Sequence, residues 1–374
     1  MKILSLKVQK KHKFNYAIFL IMMLLVCVGF LFVYSASFYS AEITYNDKFF
    51  FLKKQVFGAI VGSVCYVFFS WFDYRKLEKL KWVLVVIACI LLALVFVPGV
   101  GITNFGATRW INLRVITFQP SEIAKLSFIV FAASVLSKSS EKIKSFKGLL
   151  LVLFVGACFC FLIILEPNMS ITICMALLIV VMLFLGGAKI KHFLILMVPA
   201  LCLFALLIIA EPYRLKRLVA FVDPFASSKN EGFQLVQSLL GIALGGAFGS
   251  GIFNSRQKYL FLPFAESDFI FSIIAEETGF VGALFVIVTY VLLFVAIIKV
   301  SLNAKDKFGA LLSAGIGSLI LIQTLLNIAV VTGVVPPTGL PLPFISAGST
   351  SLMVFMSMIG IVQNVHRQSL MKKL

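Results

Sequence analysis

Charged residues are scarce in this 374-residue chain, and acidic residues are scarcer than basic ones. Asp, Glu, Lys and Arg together make up 13% of the residues, whereas a typical soluble domain contains about 25%. Apolar residues make up 61% and recur in long runs from one end to the other. This balance excludes an ordinary soluble protein and favours one membrane domain over a membrane anchor with a separate soluble module.

Cysteine is absent from the polar segments, and no two cysteines are spaced as CxxC. Disulfides and thiolate metal sites are therefore not expected. The chain also has neither a GxxxxGK[ST] loop nor a GxGxxG turn after a strand, so ATP-driven transport by this chain alone is not expected. The seven cysteines, all within apolar runs, are Cys27, Cys65, Cys89, Cys158, Cys160, Cys174 and Cys202.

A helix needs about 20 apolar residues to cross the hydrocarbon region of a bilayer. Ten runs reach or approach this length, and we predict an all-α integral membrane protein with about ten transmembrane helices. The eighth run is long enough for its first part to tilt or to line a cavity. The predicted spans are 17–38, 56–72, 82–98, 121–137, 148–165, 169–187, 192–210, 269–298, 308–332 and 344–365.

Basic residues predict the orientation of these helices. If the N-terminus lies inside, the inner segments contain 21 Lys and Arg residues and the outer segments contain 11. Six of those 11 lie in one long loop, and charges in long loops have little influence on orientation. We therefore expect a basic cytoplasmic segment at 1–16, a single membrane domain at 17–366 and a cytoplasmic tail at 367–374. The net charge of +18 follows from this rule and does not indicate a nucleic acid partner.

The longest polar segment lies on the predicted outer surface. Residues 211–268 form one extracytoplasmic loop of about 58 residues between helices 7 and 8, and loops of this length are commonly functional. Its apolar stretch from Leu235 to Phe248 is too short and too rich in glycine for a normal span. We predict an interfacial or re-entrant element there.

Ionisable residues at membrane depth are costly and usually functional. Lys125 lies one turn into the fourth predicted helix, and Glu122 lies three residues earlier on the same helix face. The pair can either take part in chemistry or lock the helix as an internal ion pair. Glu276 and Glu277 lie in the eighth predicted helix, where at least one should face the interior in a structural or a functional role.

Asp268 is the best catalytic candidate by residue type. It ends the long outer loop immediately before an apolar helix, where the helix dipole stabilises an anion. A carboxylate near a lysine in a water-accessible cleft can act as a general base. The alternative is a helix N-cap, for which Ser267 competes. No histidine base is expected outside, because the three histidines lie in cytoplasmic segments or at their edges, at His12, His192 and His366.

Five arginines lie in the outer segments. Such a set can hold a phosphate or pyrophosphate through charge-assisted hydrogen bonds. For any single arginine, contact with an anionic lipid headgroup is the commoner arrangement. The five outer arginines are Arg109, Arg114, Arg214, Arg217 and Arg256.

A series of motifs in a fixed order covers the chain from about Tyr34 to Asn364. In this order and spacing they resemble the SEDS family (shape, elongation, division and sporulation), whose members include FtsW, RodA and SpoVE. The motifs are VYSAS at 33–37, RWINL at 109–113, FQPSEIAKL at 118–126, DPF at 223–225, GFQLVQSL at 232–239, SRQKYLFLP at 255–263, DFIFSIIAEETGFVG at 268–282 and NIAVVTGVVPPTGLPLPFIS at 327–346.

The resemblance implies a peptidoglycan glycosyltransferase. Such enzymes polymerise lipid II, a disaccharide-pentapeptide on undecaprenyl pyrophosphate, at the outer face of the bacterial cytoplasmic membrane. By motif position, Asp268 corresponds to the family's essential loop aspartate. Glu122 and Lys125 correspond to its acidic and basic pair, and Arg109 and Trp110 to its RW pair.

The resemblance also implies partners and supporting residues. FtsW-like proteins act with a class B penicillin-binding protein and other division proteins at the septum. Arg256 and Glu276 lie in family motifs and complete the set of candidate substrate-binding or supporting residues. The motifs identify no cofactor and no protein-bound metal, although a divalent cation is compatible with the reaction.

The chain departs from the family pattern in three motifs. PExHTDFIF becomes PFAESDFIF at 263–271, which removes a Glu and a His and adds Glu266. EPDxGT becomes EPNMSI at 166–171, and ISYGGSS becomes ISAGSTS at 345–351. The SRQK and YRLKRLVAFVDPF segments favour FtsW or SpoVE over RodA. The alternatives are a lipid II flippase, a RodA-like elongation polymerase and a non-catalytic scaffold for division proteins.

Overall fold

The computed structural model describes residues 14–104, 107–112, 117–138, 146–195, 198, 218–226 and 232–370. Within these residues, nine of the ten predicted spans coincide with a helix, and the seventh, 192–210, lies mostly outside them. The helices are α1 (Tyr16–Tyr45), α2 (Phe50–Trp71), α3 (Tyr74–Lys79), α4 (Lys81–Leu94), α5 (Pro120–Lys138), α6 (Phe146–Leu165), α7 (Met169–Leu185), α8 (Phe233–Gly245), α9 (Ile270–Leu302), α10 (Lys307–Val331) and α11 (Ser349–Ser369).

Several helices in the described part of the chain are long and apolar enough to cross a membrane. They are α1, α2, α5, α6, α9 and α10. The helices α4 and α7 are apolar but shorter, at 14 and 17 residues. The total of ten spans and the inward orientation of both ends stay predictions, because the inner segments at 1–13, 139–145 and 371–374 lie outside the described residues.

Two helices extend beyond their predicted spans. The first span was predicted to end at 38, whereas α1 continues to Tyr45, since the polar residues there still form regular helix up to a left-handed cap at Asn46. The tenth span was predicted to end at 365, whereas α11 continues to Ser369. The start of the cytoplasmic tail at 367 stays a prediction. Apolar runs locate the hydrocarbon, and helices often extend beyond it.

The helix α11 lies at the centre of the bundle. It packs against α1, α2, α5, α9 and α10, and nearly every side chain from Thr350 to Val365 is buried. Two of its buried polar residues, Thr350 and Asn364, are held by neighbouring elements. The Asn364 side chain, for example, donates to the Ser70 carbonyl at 2.9 Å and accepts from the Tyr74 amide at 3.2 Å.

A small antiparallel sheet is the one departure from an all-helical fold among the described residues. Its strands are β1 (Gly101–Asn104), β2 (Ala107–Asn112) and β3 (Thr117–Phe118), in the order β1-β2-β3. Trp110 pairs with Ile102, and the Thr350 hydroxyl donates to the Thr117 carbonyl at 2.9 Å. The sheet is therefore anchored over the first turn of α11, where it positions the RW pair.

The helix α9 is broken at Gly279, whose φ of 68° is available to glycine but rarely to other residues. The break frees backbone groups that hydrocarbon cannot satisfy. The loop after α8 satisfies them: the amides of Ser250 and Gly251 donate to the carbonyls of Glu276 and Glu277. In return, the amides of residues 280 and 281 donate to the carbonyls of residues 246 and 247.

The helix α8 forms the element that was predicted between Leu235 and Phe248. It packs against α9 and α10, and the Ser238 hydroxyl donates to the Val331 carbonyl at 2.8 Å. The chain then turns back into the break in α9, about two turns beyond its first residue. Together, α8 and this return loop form a hairpin against the first part of α9, as expected for a re-entrant element.

Candidate active site

Lys125 and Glu122 form a fully buried ion pair in α5. The Lys125 Nζ lies 2.8 Å from a Glu122 carboxylate oxygen, and both side chains have no exposed surface. Lys125 also donates to the Gln323 side-chain oxygen at 2.7 Å and lies 5.5 Å from the Phe355 ring centre. The prediction of one shared helix face is confirmed. Lys125 is not accessible to water, because Gln323 of α10 and Phe355 of α11 cover it.

Asp268 lies just before α9 and does not cap it. The helix begins at Ile270, and Phe269 occupies the N-cap position without a side-chain cap bond. The N-cap position considered for Asp268 is therefore taken by Phe269. The Asp268 side chain is partly exposed.

The backbone around Asp268 is fixed by three consecutive carbonyl groups. The Glu266 carbonyl accepts from the Ala347 amide at 2.9 Å, and the Ser267 carbonyl accepts from the Ser346 hydroxyl at 2.5 Å. The Asp268 carbonyl accepts from the Asn327 side chain at 2.9 Å. Each of these three bonds joins the loop before α9 to α10 or to the segment between α10 and α11.

Gly339 lies directly against the carboxylate of Asp268. A Cβ atom added to Gly339 would stand 2.8 Å from the Asp268 Oδ2 atom, closer than normal contact allows. The Gly339 amide donates to the Ser170 hydroxyl in the first turn of α7 at 3.0 Å. The ends of α7, α9 and α10 therefore meet at this carboxylate.

Arg109 joins the sheet to the turn between α6 and α7. Its guanidinium donates to the Glu166 carbonyl at 3.4 Å and to the Pro167 carbonyl. Glu166 itself is fully buried, and neither carboxyl oxygen has a hydrogen-bond partner among the described residues. Burial raises the pKa of Glu166 to about 8, and the nearby Arg109 guanidinium only partly opposes this shift.

Replacing Glu166 with Gln is expected to change how stability depends on pH. A carboxyl whose folded-state pKa lies above its usual 4.5 keeps full stability below pH 4.5 and loses stability as the pH rises toward about 8. Glutamine has no such dependence. The thermal midpoint of Glu166→Gln should match that of the parent near pH 4.5, exceed it increasingly up to about pH 8 and stay higher by a constant amount above that. A difference that stays constant with pH would contradict this account.

Glu276 and Glu277 both face the interior, at the break in α9. Glu276 accepts from the Ser255 hydroxyl and from the Arg256 amide, the latter at 2.7 Å. Glu277 accepts from Lys258 Nζ at 3.0 Å and from the Ser35 hydroxyl at 2.6 Å. Both carboxylates therefore hold the SRQK segment in place. This arrangement gives Glu276 a supporting role and leaves the exposed Arg256 side chain free to reach outward.

Lys258, Glu166, Gln323, Asn327 and Gly339 were not singled out from the sequence. Lys258 is fully buried against Glu277, although the sequence places it in the long polar loop. All five lie in or near family motifs that were recognised as blocks, Lys258 in the SRQKYLFLP motif. Motif membership was the only sequence evidence for them, since a neutral amide or a glycine in an apolar run has no pattern of its own.

The candidate residues form three groups. Asp268 and Arg109 both lie near the junction of α6 and α7: Asp268 contacts it through Gly339 and Ser170, and Arg109 contacts it directly. Lys125 and Glu122 form a buried pair in α5. Glu276 lies about two turns into α9, and the Arg256 backbone amide donates to it from the loop before α9. Within the described part of the chain, no three His, Cys, Asp or Glu side chains come together as a metal site.

Comparison with known proteins identifies the family. The family model described as Cell cycle protein, which covers FtsW, RodA and SpoVE, matches residues 15–371. The chain belongs to the FtsW/RodA/SpoVE family. It is 37% identical to Stage V sporulation protein E of Bacillus subtilis (strain 168) over 96% of this chain and 99% of that one. It is 36% identical to a probable peptidoglycan glycosyltransferase FtsW of Geobacter sp. (strain M18) over 94% and 96%.

Solved structures share the fold of this FtsW/RodA/SpoVE protein. A chain of a peptidoglycan synthase complex, in which polymerization and crosslinking are structurally coordinated, superimposes with a TM-score of 0.80 at 26% identity. That match covers 96% of this chain and 99% of the other. The rod shape determining protein RodA of Thermus thermophilus gives a TM-score of 0.69 at 24% identity over 96% and 98%. The all-α membrane fold is thereby confirmed.

Proposed function

We propose that this protein is a peptidoglycan glycosyltransferase that polymerises lipid II at the outer face of the cytoplasmic membrane. The observation that carries the proposal is the fixed, partly exposed carboxylate of Asp268. It lies where three helix ends meet, in a chain whose relatives are named as probable glycosyltransferases of this class. A non-catalytic scaffold would not require a carboxylate packed against Gly339 on a backbone segment that three hydrogen bonds hold in place.

The proposed reaction is a displacement at an anomeric carbon. A sugar hydroxyl oxygen attacks this carbon, the bond from the carbon to the pyrophosphate oxygen breaks, and the hydroxyl proton passes to Asp268. The lipid pyrophosphate leaves with the bonding electrons, so no ATP is needed. Positive charge stabilises the leaving group, and Arg109 and Arg256 are the proposed donors of that charge. Trp110 orients the sheet that carries Arg109.

The proposed partners follow from the family. The structural match to a peptidoglycan synthase complex supports assembly with a class B penicillin-binding protein, whose membrane helix would pack on the apolar outside of the bundle. Identities of 37% to SpoVE and 36% to FtsW are nearly equal and support the division and sporulation branch. We place the protein at the septum, with other division proteins.

Lipid II translocation is the second candidate function. The break in α9 at Gly279 favours it, because transporters also use broken helices at membrane depth. The two functions differ in product, since translocation leaves lipid II intact and polymerisation converts it into glycan strands and free lipid pyrophosphate.

Purified protein, with and without its penicillin-binding partner, should be incubated with lipid II in detergent. We expect glycan strands longer than the disaccharide, resolved by gel electrophoresis. In liposomes, fluorescent lipid II in the inner leaflet should stay inaccessible to external reagent. Absence of glycan together with exposure of the label would contradict the polymerase assignment and support the flippase.

A further inference from the structure

We propose that Asn327 is a positioning residue for Asp268, and that Gln323 connects the buried Lys125–Glu122 pair to the same site. This inference rests on the proposed function. Asn327 and Gln323 are four residues apart on α10 and therefore share one face of the helix. Both side chains are buried, and both reach the segment that follows α10.

Asn327 joins the two backbone segments that define the carboxylate site. Its side-chain nitrogen donates one hydrogen to the Asp268 carbonyl at 2.9 Å and the other to the Leu340 carbonyl at 2.7 Å. An amide nitrogen has two hydrogens, so both are used. Since Gly339 precedes Leu340, this single amide fixes the distance between Gly339 and the Asp268 carboxylate.

Gln323 extends the same connection into the membrane interior. Its nitrogen donates to the Pro341 carbonyl at 2.8 Å, and its oxygen accepts from Lys125 at 2.7 Å. Two consecutive carbonyls, of residues 340 and 341, are thus held by two amides of one helix face. A buried amide gains orientation from a charged donor, because the charged hydrogen bond fixes which end is oxygen.

These contacts define a structural role for the buried Lys125–Glu122 pair. The hydrogen bonds of Lys125 go to Glu122 and Gln323. Its charge therefore acts on the site through Gln323, the 340–341 backbone and Gly339. In this account Lys125 is a positioning residue, and the group that contacts substrate is Asp268.

The test compares two buried asparagines that make equivalent contacts at different places. Asn327→Ala removes the contact to Asp268, and Asn364→Ala is the matched control, because Asn364 also holds two backbone groups but lies on α11, against Ser70 and Tyr74. Both variants should lose thermal stability to a similar extent. Only Asn327→Ala should lower kcat for lipid II polymerisation, by on the order of 10²-fold, since a displacement of about 1 Å can have that effect.

Gly339→Ala provides a second variant that should fold normally. Its new methyl group meets only the end of the Asp268 side chain, which can move aside. We expect an unchanged thermal midpoint, a lowered kcat and a KM close to that of the parent. Combined with Asn327→Ala, its effect should be less than additive, because both changes displace the same carboxylate.

A readout without polymerisation separates this inference from the proposed function. Carbodiimide labelling of Asp268, followed by mass spectrometry across pH, reports the environment of its carboxyl group. The pH midpoint should shift in Asn327→Ala and Gly339→Ala, and should stay unchanged in Asn364→Ala. An unchanged midpoint and kcat in a folded Asn327→Ala, or equal losses in the Asn364→Ala control, would overturn the inference. Failure of the wild type to make glycan would instead refute the proposed function alone.

Discussion

Asp268→Asn is expected to lower the rate of lipid II polymerisation by about 10²–10⁴-fold, the usual contribution of a general base. Asparagine keeps the size of the side chain and all three backbone contacts of the 266–268 segment, so folding should be unaffected. It cannot accept the proton of the attacking hydroxyl. Steady-state rates with purified lipid II, measured on the complex with its penicillin-binding partner, test this expectation.

Asp306→Asn is a matched control for that substitution. Asp306 is the N-cap of α10, where its side chain accepts from the Gly309 amide at 2.7 Å, and asparagine caps helices about as well as aspartate. Its ion pair with Arg75 is partly exposed and adds little to stability. Asp306→Asn should therefore retain the parental rate. Near-normal glycan synthesis by pure Asp268→Asn protein would remove Asp268 from the mechanism.

Lys125→Ala is expected to abolish polymerisation and to destabilise the protein strongly. Removing one member of a buried ion pair leaves the Glu122 carboxylate without its counter-charge, which costs about 3–5 kcal/mol. It also removes the donor to Gln323. Thermal unfolding in detergent and the polymerisation rate should both show the loss.

The double variant Glu122→Gln with Lys125→Met separates these two effects. It removes both charges and keeps the side-chain volumes similar, so most of the lost stability should return. The rate should stay low, because methionine cannot donate a hydrogen bond to Gln323. The Gln323 side chain, which donates to the Pro341 carbonyl, then loses its own support from residue 125. If the double variant regains the parental rate, the pair serves electroneutrality alone and has no role in positioning.

The sequence predicted those features that depend on long apolar runs or on helical spacing. The spans leading to α5, α6 and α10 were located within a few residues, and the i, i+3 relation of Glu122 and Lys125 followed directly from helical geometry. The placement of Asp268 just before α9 was also correct. Each of these results needs only local information.

The site contacts could not be predicted, because they join residues that are far apart in the chain. The pairing of Gly249 with the break at Gly279 spans 30 residues, and that of Arg109 with the turn at Glu166 spans 57. The burial of Lys258 also depended on a distant partner, Glu277, which is itself inside a helix. The complete burial of Lys125 has a related cause, since its cover comes from helices about 200 residues later.

The central position of α11 has a consequence for how the molecule is made. This helix carries two adjacent amides, Gln363 and Asn364, and five hydroxyl side chains within 21 residues, so lipid alone is a poor solvent for it. Outside its own helix, Asn364 bonds to α2 and to the start of α3. Because α11 follows every other described helix in the chain, the earlier helices leave the ribosome before the element that fills their centre. Insertion of α11 and completion of the helix bundle are therefore a single step. A membrane-inserted folding intermediate without α11 would contain a gap lined by polar side chains.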